Sequence, residues 1–404
     1  MILDKDRLRR LLPVRNRGRS GPGQPLIGYD RYLSHVRGRA LLSYLPDPVK
    51  DELDGKPENE FSNRGIARTI PRALNELGYI VDIVSWDDKS TPVNKSYDIL
   101  IQHGGINYDS LRNLVKKSGK KIYFSTGSYW KYHNVAEQKR FDNFKKRHGF
   151  RPSYDRLVTH SEERATREAD AIIAIGNQQI CETYQGFSNV DNLDLGCYRD
   201  NHFDAITKNH SRTKNSFLFF AGAGGIHKGL DLTIEAFLKL PQHLYIMAYV
   251  EPALLKYYEE AFSAPNIHLI GPGNFRSPEF YKVMDSCSFA ILPSCSEGQP
   301  GSMVECLNQG LIPVVTRDVH LSVPGFGFTL EQATISKIQQ IVKTLSKLDE
   351  LELSEKSGAS RKAAITSHSP DLFRETFKAH VNKVIDDKSQ HYIARANGVT
   401  AEQL

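Results

Sequence analysis

Two glutamates with seven residues between them, Glu297 and Glu305, flank a Gly/Pro-rich turn in SEGQPGSMVECLNQGLIPVV, Ser296 to Val315. The apolar run Phe289-Ala290-Ile291-Leu292 reads as a buried strand entering that turn, and Ser302 to Gln309 reads as a helix stopped by Gly310. The turn therefore opens a helix N-terminus. Backbone amides of Gly301, Ser302 and Met303 then point outward at the positive end of the helix dipole, the requirement for holding a phosphate. A second segment, FLFFAGAGGIHKGLDLTIEAF from Phe217 to Phe237, repeats the scheme of strand, glycine turn and helix, with Leu230, Ile234, Phe237 and Leu238 on one helical face. Gly222, Gly224 and Gly225 let the backbone come close to a ligand, and Lys228 stands where its ammonium meets a diphosphate. The plainer alternatives are two unrelated surface carboxylates and a solvated lysine at a helix start.

In context these segments resemble the E-x(7)-E signature and the donor-phosphate loop of retaining GT-B glycosyltransferases similar to glycosyltransferase family 4. The resemblance implies that Glu297 approaches the donor sugar and Glu305 the ribose. It also implies that Gly224, Gly225, Lys228, Gly298, Pro300, Gly301, Ser302 and Met303 hold the diphosphate side. The turn Gly271 to Phe275 resembles the family's base-reading loop, or is an ordinary Pro/Gly turn. The resemblance implies a UDP- or GDP-sugar as donor, with no further cofactor and no metal. Retention in this family is rationalised by front-side attack, in which the leaving phosphate helps to deprotonate the acceptor. Lys228, Glu297 and His103 are the catalytic candidates, His103 with a packed or surface role as its alternative. Two departures stand out. The family's phosphate loop reads G-R-L-x-x-x-K-G, and here Ala223 takes the place of the arginine; where many relatives carry a histidine after the fourth strand, this chain reads Ser125-Thr126-Gly127. Asn63, Gly65, Thr126, Gly127, Tyr129, Trp130 and His133 are the acceptor-side candidates. Asp4-Lys5-Asp6 is the available D-x-D text, in a basic terminus, so a metal-dependent reaction is disfavoured.

The elements that must position these residues alternate along the chain. Ala40 to Leu45, Tyr79 to Ser85, Asp98 to Gln102, Lys121 to Ser125 and Ala171 to Ile175 read as strands in the first half. Phe217 to Ala221, Leu244 to Val250, Ile267 to Ile270, Phe289 to Leu292 and Leu311 to Val315 do so in the second. RGIARTIPRALNELG keeps helical apolar spacing despite Pro71. Such alternation predicts an α/β protein with two Rossmann-like doubly wound parallel-sheet domains facing a cleft. The expected division is an acceptor-side domain over 1–195, a nucleotide-sugar domain over 196–368, and a crossing helix and tail over 369–404. Gly186 to Asn215 is the expected hinge, and Arg395 to Leu404 a frayed tail. Ser369-Pro370 starts a helix whose Phe373, Phe377, Val381 and Val384 share one face.

With 404 residues the chain is long enough for two cores. Five cysteines without metal-type spacing argue against a disulfide framework or zinc site. The first residues lack the apolar stretch of a signal peptide and no run approaches a membrane span, so a cytoplasmic protein is expected, peripheral on the inner face of the membrane if its charge serves that purpose. That charge is asymmetric: residues 1–200 carry 33 Lys and Arg against 26 Asp and Glu, the remainder 20 against 21. Arg112 to Arg151 alone hold twelve cations against Glu137 and Asp142. This stretch suits an anionic membrane surface or a phosphorylated acceptor, or is an ordinary solvated face. Without a recognisable nucleic-acid module, nucleic acid is a disfavoured partner. The reading is sugar transfer to a saccharide or lipid-linked glycan in surface polysaccharide (lipopolysaccharide-type) biosynthesis. A non-catalytic GT-B glycan-binding or scaffold protein is the alternative, and sugar transfer to modified DNA a third.

Overall fold

A computed structural model describes residues 24–386 apart from 59, 60, 90–92, 94, 155 and 203–207. Asp4-Lys5-Asp6 and the expected tail from Arg395 lie outside the described residues. The first half builds a seven-stranded sheet in the order β1-β3-β2-β4-β5-β6-β7 from β1 (Leu26–Tyr29), β2 (Gly38–Tyr44), β3 (Tyr79–Ser85), β4 (Tyr97–Gln102), β5 (Val115–Ser125), β6 (Ala171–Ile175) and β7 (Val190–Leu193). The second builds a six-stranded sheet in the order β10-β9-β8-β11-β12-β13 from β8 (Ser216–Ala221), β9 (His243–Ala248), β10 (Ile267–Leu269), β11 (Phe289–Leu292), β12 (Ile312–Thr316) and β13 (Phe328–Leu330). All neighbours are parallel except β1, which runs antiparallel to β3.

Every predicted strand is present. β6, AIIAI, and β11, FAIL, are buried along their whole length, the state that an uninterrupted apolar run requires when helices cover both faces. The stretch expected as a hinge, Gly186 to Asn215, is corrected in part. Its Val190–Leu193 is β7 on the edge of the first sheet, paired in parallel with β6, and four residues give too short an alternation to stand out in sequence.

The helix Asn63–Glu76 starts on a Ser62 side chain that accepts from the Arg64 amide, and it buries Ile66, Ile70, Ala73 and Leu74. Against it lies the last described helix, Pro370–Asp386, whose Phe373, Phe377, Val381 and Val384 are all buried. Lys378 donates to Glu76 at 2.9 Å, and the Phe377 and Phe124 rings lie 6.2 Å apart. The chain thus leaves the second sheet and returns to the first, so one hydrophobic core runs through both halves.

Candidate active site

Between the carboxyl ends of the two sheets lies a cleft of about 530 Å³. The end of β8 supplies Phe220, Ala221, Gly222 and Ala223, the turn after β11 supplies Glu297, Gln299 and Pro300, and the helix Gly301–Asn308 adds Gly301, Ser302 and Glu305. Asn63, Thr126, Ile175 and Leu195 close it from the first half. Lys228 sits on a one-turn helix, Gly225–Lys228, set between Gly224 and Gly229, which adopt φ of +104° and +80°. Its ammonium pairs with the Glu297 carboxylate, which also accepts from Ser294 Oγ at 2.9 Å. Burial pushes the Glu297 carboxyl up, but the Lys228 ammonium, aided by His227 and Arg156, outweighs it and holds the group down at about 2. Glu305 is the opposite case. Burial raises it to about 7 despite Arg276, whose guanidinium is 3.6 Å away, and despite the amides of Gln309 and Asn308, at 2.9 and 3.4 Å.

Several expected donor residues stand elsewhere. The Gly224 and Gly225 amides face the Glu251 carboxylate, at 2.7 Å for Gly224 and 3.2 Å for Gly225, so this side chain occupies the anion position that the glycine spacing suggests. Met303 is buried in the core and its amide turns inward to the Pro300 carbonyl at 2.9 Å, which leaves Gly301 and Ser302 as the helix-start residues on the cleft. Gly271 turns the chain at φ +87° while Pro272, Gly273 and Phe275 reach the cleft. Gly65 is buried in its helix.

Gly298 serves the meeting of the two halves. A Cβ there would lie 2.3 Å from the Thr126 carbonyl oxygen, and one on Gly127 would lie 3.3 Å from the Gly298 nitrogen. The halves therefore touch backbone to backbone, and Ser128 Oγ donates to the Glu297 carbonyl at 2.9 Å beside them.

A second cavity of about 250 Å³ shares Thr126, Arg156 and Glu297 with the first and is lined further by Trp86, His103, Gly104, Gly127, Trp130, His133, His160, Glu162 and Gly298. His103 Nδ1 bonds the Phe124 carbonyl at 3.0 Å, and burial lowers the imidazole below its ordinary value. A neutral ring that donates through Nδ1 keeps the Nε2 lone pair for a ligand. Trp130 and His133 line this cavity, but Tyr129 does not: it packs into the core and donates through its hydroxyl to Glu163 at 2.6 Å. Sequence reading missed Trp86, His160, Glu162, Arg156 and Arg276, because loop residues at strand ends carry no periodic signal.

Behind the cleft wall, His133, Glu137 and His227 place their ligand atoms within 4.8 Å of one another, a grouping with the residue types of a metal site. Each is engaged within the protein. His227 bonds the Ser296 carbonyl at 2.6 Å through Nε2 and approaches Cys295 Sγ and Glu137 at 3.5 Å through Nδ1. Burial disfavours its charge, but Cys295 and Glu137 beside Nδ1, with the Glu297 charge nearby, raise it to about 9. His133, kept below its ordinary value by burial and by the charge on His227, bonds Ser296 Oγ at 3.2 Å. The cluster thus ties the two halves together by hydrogen bonds.

The basic stretch is also partly consumed within the protein. At the junction Arg140 is buried and donates to the Pro293 carbonyl at 2.9 Å and Arg147 pairs with Asp231 and Glu235, while inside the first half Lys116 pairs with Asp98 at 2.7 Å. Lys139, Lys145 and Lys146 stay exposed.

No family model matches the chain, and no curated protein matches its sequence. Solved structures do match in shape. A sucrose-phosphate synthase from Thermosynechococcus elongatus superposes with a TM-score of 0.58 at 12% identity, over 85% of this chain and 98% of that one. Anabaena HepE in complex with UDP and glucose gives 0.52 at 11% identity, over 85% and 98%. The fold is GT-B. TarM matches with a TM-score of 0.51 at 14% identity over 71% of this chain, which spans about half, 54%, of the TarM chain.

Proposed function

We propose that the protein is a retaining, metal-independent glycosyltransferase that moves a sugar from a UDP- or GDP-sugar to a saccharide or lipid-linked glycan in surface polysaccharide synthesis, on the cytoplasmic side of the membrane. The observation that carries this reading is the convergence of Lys228, Glu297 and the Gly301-Ser302 helix start on one cleft. As the donor bond breaks, negative charge grows on the departing diphosphate. A preplaced ammonium and open amides stabilise that charge without reorganising, the most effective form of electrostatic catalysis. Glu297, ionised beside Lys228, suits hydrogen bonding to sugar hydroxyls, and Glu305 suits the ribose. The adjoining cavity, with the free edge of His103 and the faces of Trp86 and Trp130, suits a sugar acceptor, whose ring stacks on aromatic planes and whose hydroxyl needs an acceptor lone pair. Superposition on a structure holding UDP and glucose supports the donor class. No described helix is long and apolar enough to cross a membrane, so membrane contact rests on the exposed lysines of the helix Trp130–His148.

The purified protein should release UDP or GDP from a matching nucleotide sugar, faster with acceptor present. No turnover and no thermal protection across a full donor panel would defeat the proposal. One observation favours a non-catalytic glycan-binding or scaffold role instead: Glu251 fills the glycine-loop anion position and Ala223 brings no charge. Glycan binding that persists without any nucleotide binding would select that second reading.

A further inference from the structure

A nucleoside diphosphate leaving group carries more negative charge than one ammonium balances, and the charge that the loop after β8 brings to the cleft is that of Lys228. Arg156 reaches the same place from the other half of the molecule. It lines both cavities, at their shared wall with Thr126 and Glu297. Its Cγ and Cδ lie 3.0 Å from where a Cβ on Gly224 would stand, so its aliphatic stem runs over the glycine loop, and Gly224 leaves it the room to do so.

The backbone that carries Arg156 is clamped by a single helix, Trp130–His148. The Arg156 amide donates to Glu137 Oε1 at 3.0 Å and its carbonyl bonds His133 Nε2 at 2.8 Å. Two residues on, Asn134 bonds both the amide and the carbonyl of Val158, each at 2.9 Å. His133 and Glu137 are themselves tied to Ser296 and His227 of the second half. This framework holds the main chain, while among the described residues no ion pair or hydrogen bond takes up the Arg156 guanidinium. Arg156 is thus held through its own amide and carbonyl, and its side chain brings to the cleft a planar, bidentate donor, the group best matched to phosphate oxygens.

We propose that Arg156 is the second cation of the donor diphosphate, supplied from the first half in place of the arginine absent at position 223, with Glu137 and His133 as the residues that position it. The assignment rests on the donor reading above. It explains why a largely buried His-Glu-His cluster adjoins the cleft: the cluster fixes the main chain of a residue that must bring charge across the domain boundary. The charge of Arg156 is already felt in the cleft, where it helps to keep Glu297 ionised.

The test is calorimetric titration of UDP, UMP, GDP and GMP into the wild-type chain, Arg156→Ala and Arg156→Lys, with thermal unfolding as a check on folding. Loss of a charge-assisted hydrogen bond should weaken the preferred diphosphate about tenfold to a hundredfold in Arg156→Ala. The matching monophosphate should be nearly unaffected, and Arg156→Lys should recover part of the loss. If Arg156→Ala binds diphosphate as tightly as wild type, or weakens mono- and diphosphate equally, the assignment is overturned while the donor reading stands. If the wild-type chain itself binds no nucleoside diphosphate, the donor reading falls and takes Arg156 with it.

Discussion

The two glycine-containing turns of the second half look alike in sequence and behave oppositely in the fold. After β8, the amides of Gly224 and Gly225 are satisfied by Glu251, so those two amides are closed to an anion, and the charge this loop brings to the cleft is the ammonium of Lys228. After β11, Gly301 and Ser302 begin the eight-residue helix Gly301–Asn308 on the cleft wall with no side-chain cap. Glycine spacing creates the possibility of an anion site, and an acidic side chain arriving from the loop after a neighbouring strand decides whether the protein fills it by itself.

The largest effect is expected where that comparison is most lopsided. Lys228→Ala should lower transfer by about a hundredfold to a thousandfold, and should destabilise the fold by roughly 3–5 kcal/mol, because Glu297 is left buried without its partner; turnover assays with thermal or chemical unfolding check both. An intermediate effect is expected for Gly298→Ala, whose methyl would meet the Thr126 carbonyl at 2.3 Å. Overpacking of that kind costs about 1–3 kcal/mol, and because it parts the two halves it should raise the KM for donor as well as lower the melting temperature.

A smaller, pH-dependent effect is expected at Glu305, raised by burial from 4.5 to about 7. Its ionised form accepts ribose hydroxyls, so donor affinity should rise as pH increases through about 7, and Glu305→Gln should flatten that rise in titrations at pH 6, 7 and 8. The sign for stability is reversed. The folded state holds this proton more tightly than the unfolded chain, so the contribution favours folding below about 4.5 and is lost as pH climbs through about 7. The smallest effect belongs to Glu251→Gln, which keeps an acceptor for the glycine amides but removes the charge. Nucleotide affinity should change by only a few-fold, as for one neutral hydrogen bond. A large gain in affinity would show that the glycine loop is a phosphate site held shut by Glu251, and would erase the contrast between the turns.

Much of the architecture was legible because parallel strands buried on both faces are written as unbroken apolar runs, and β6 and β11 are of this kind. The edge strands β1, β7 and β13 are short and only partly buried, so their pattern does not separate from that of loops. In the candidate site, Lys228, Glu297 and Glu305 announced themselves through the glycine-containing turns they occupy or adjoin. Glu251, Arg156 and Arg276 did not, since each acts on a residue far away in the chain, and no local spacing encodes such a meeting.

Periodicity determined that the chain makes two parallel-sheet halves, because burial and backbone hydrogen bonding leave alternating apolar runs few other solutions, and the glycine turns that end two of those strands marked out a lysine and two glutamates at a shared edge. Only the tertiary structure decided which amides stay open, which carboxylate is ionised and which is raised, and that an arginine of one half reaches the glycine loop of the other. Those outcomes depend on distances of a few ångströms between segments remote in sequence, where Coulomb energy and desolvation are settled by what packs alongside and not by what comes next in the chain.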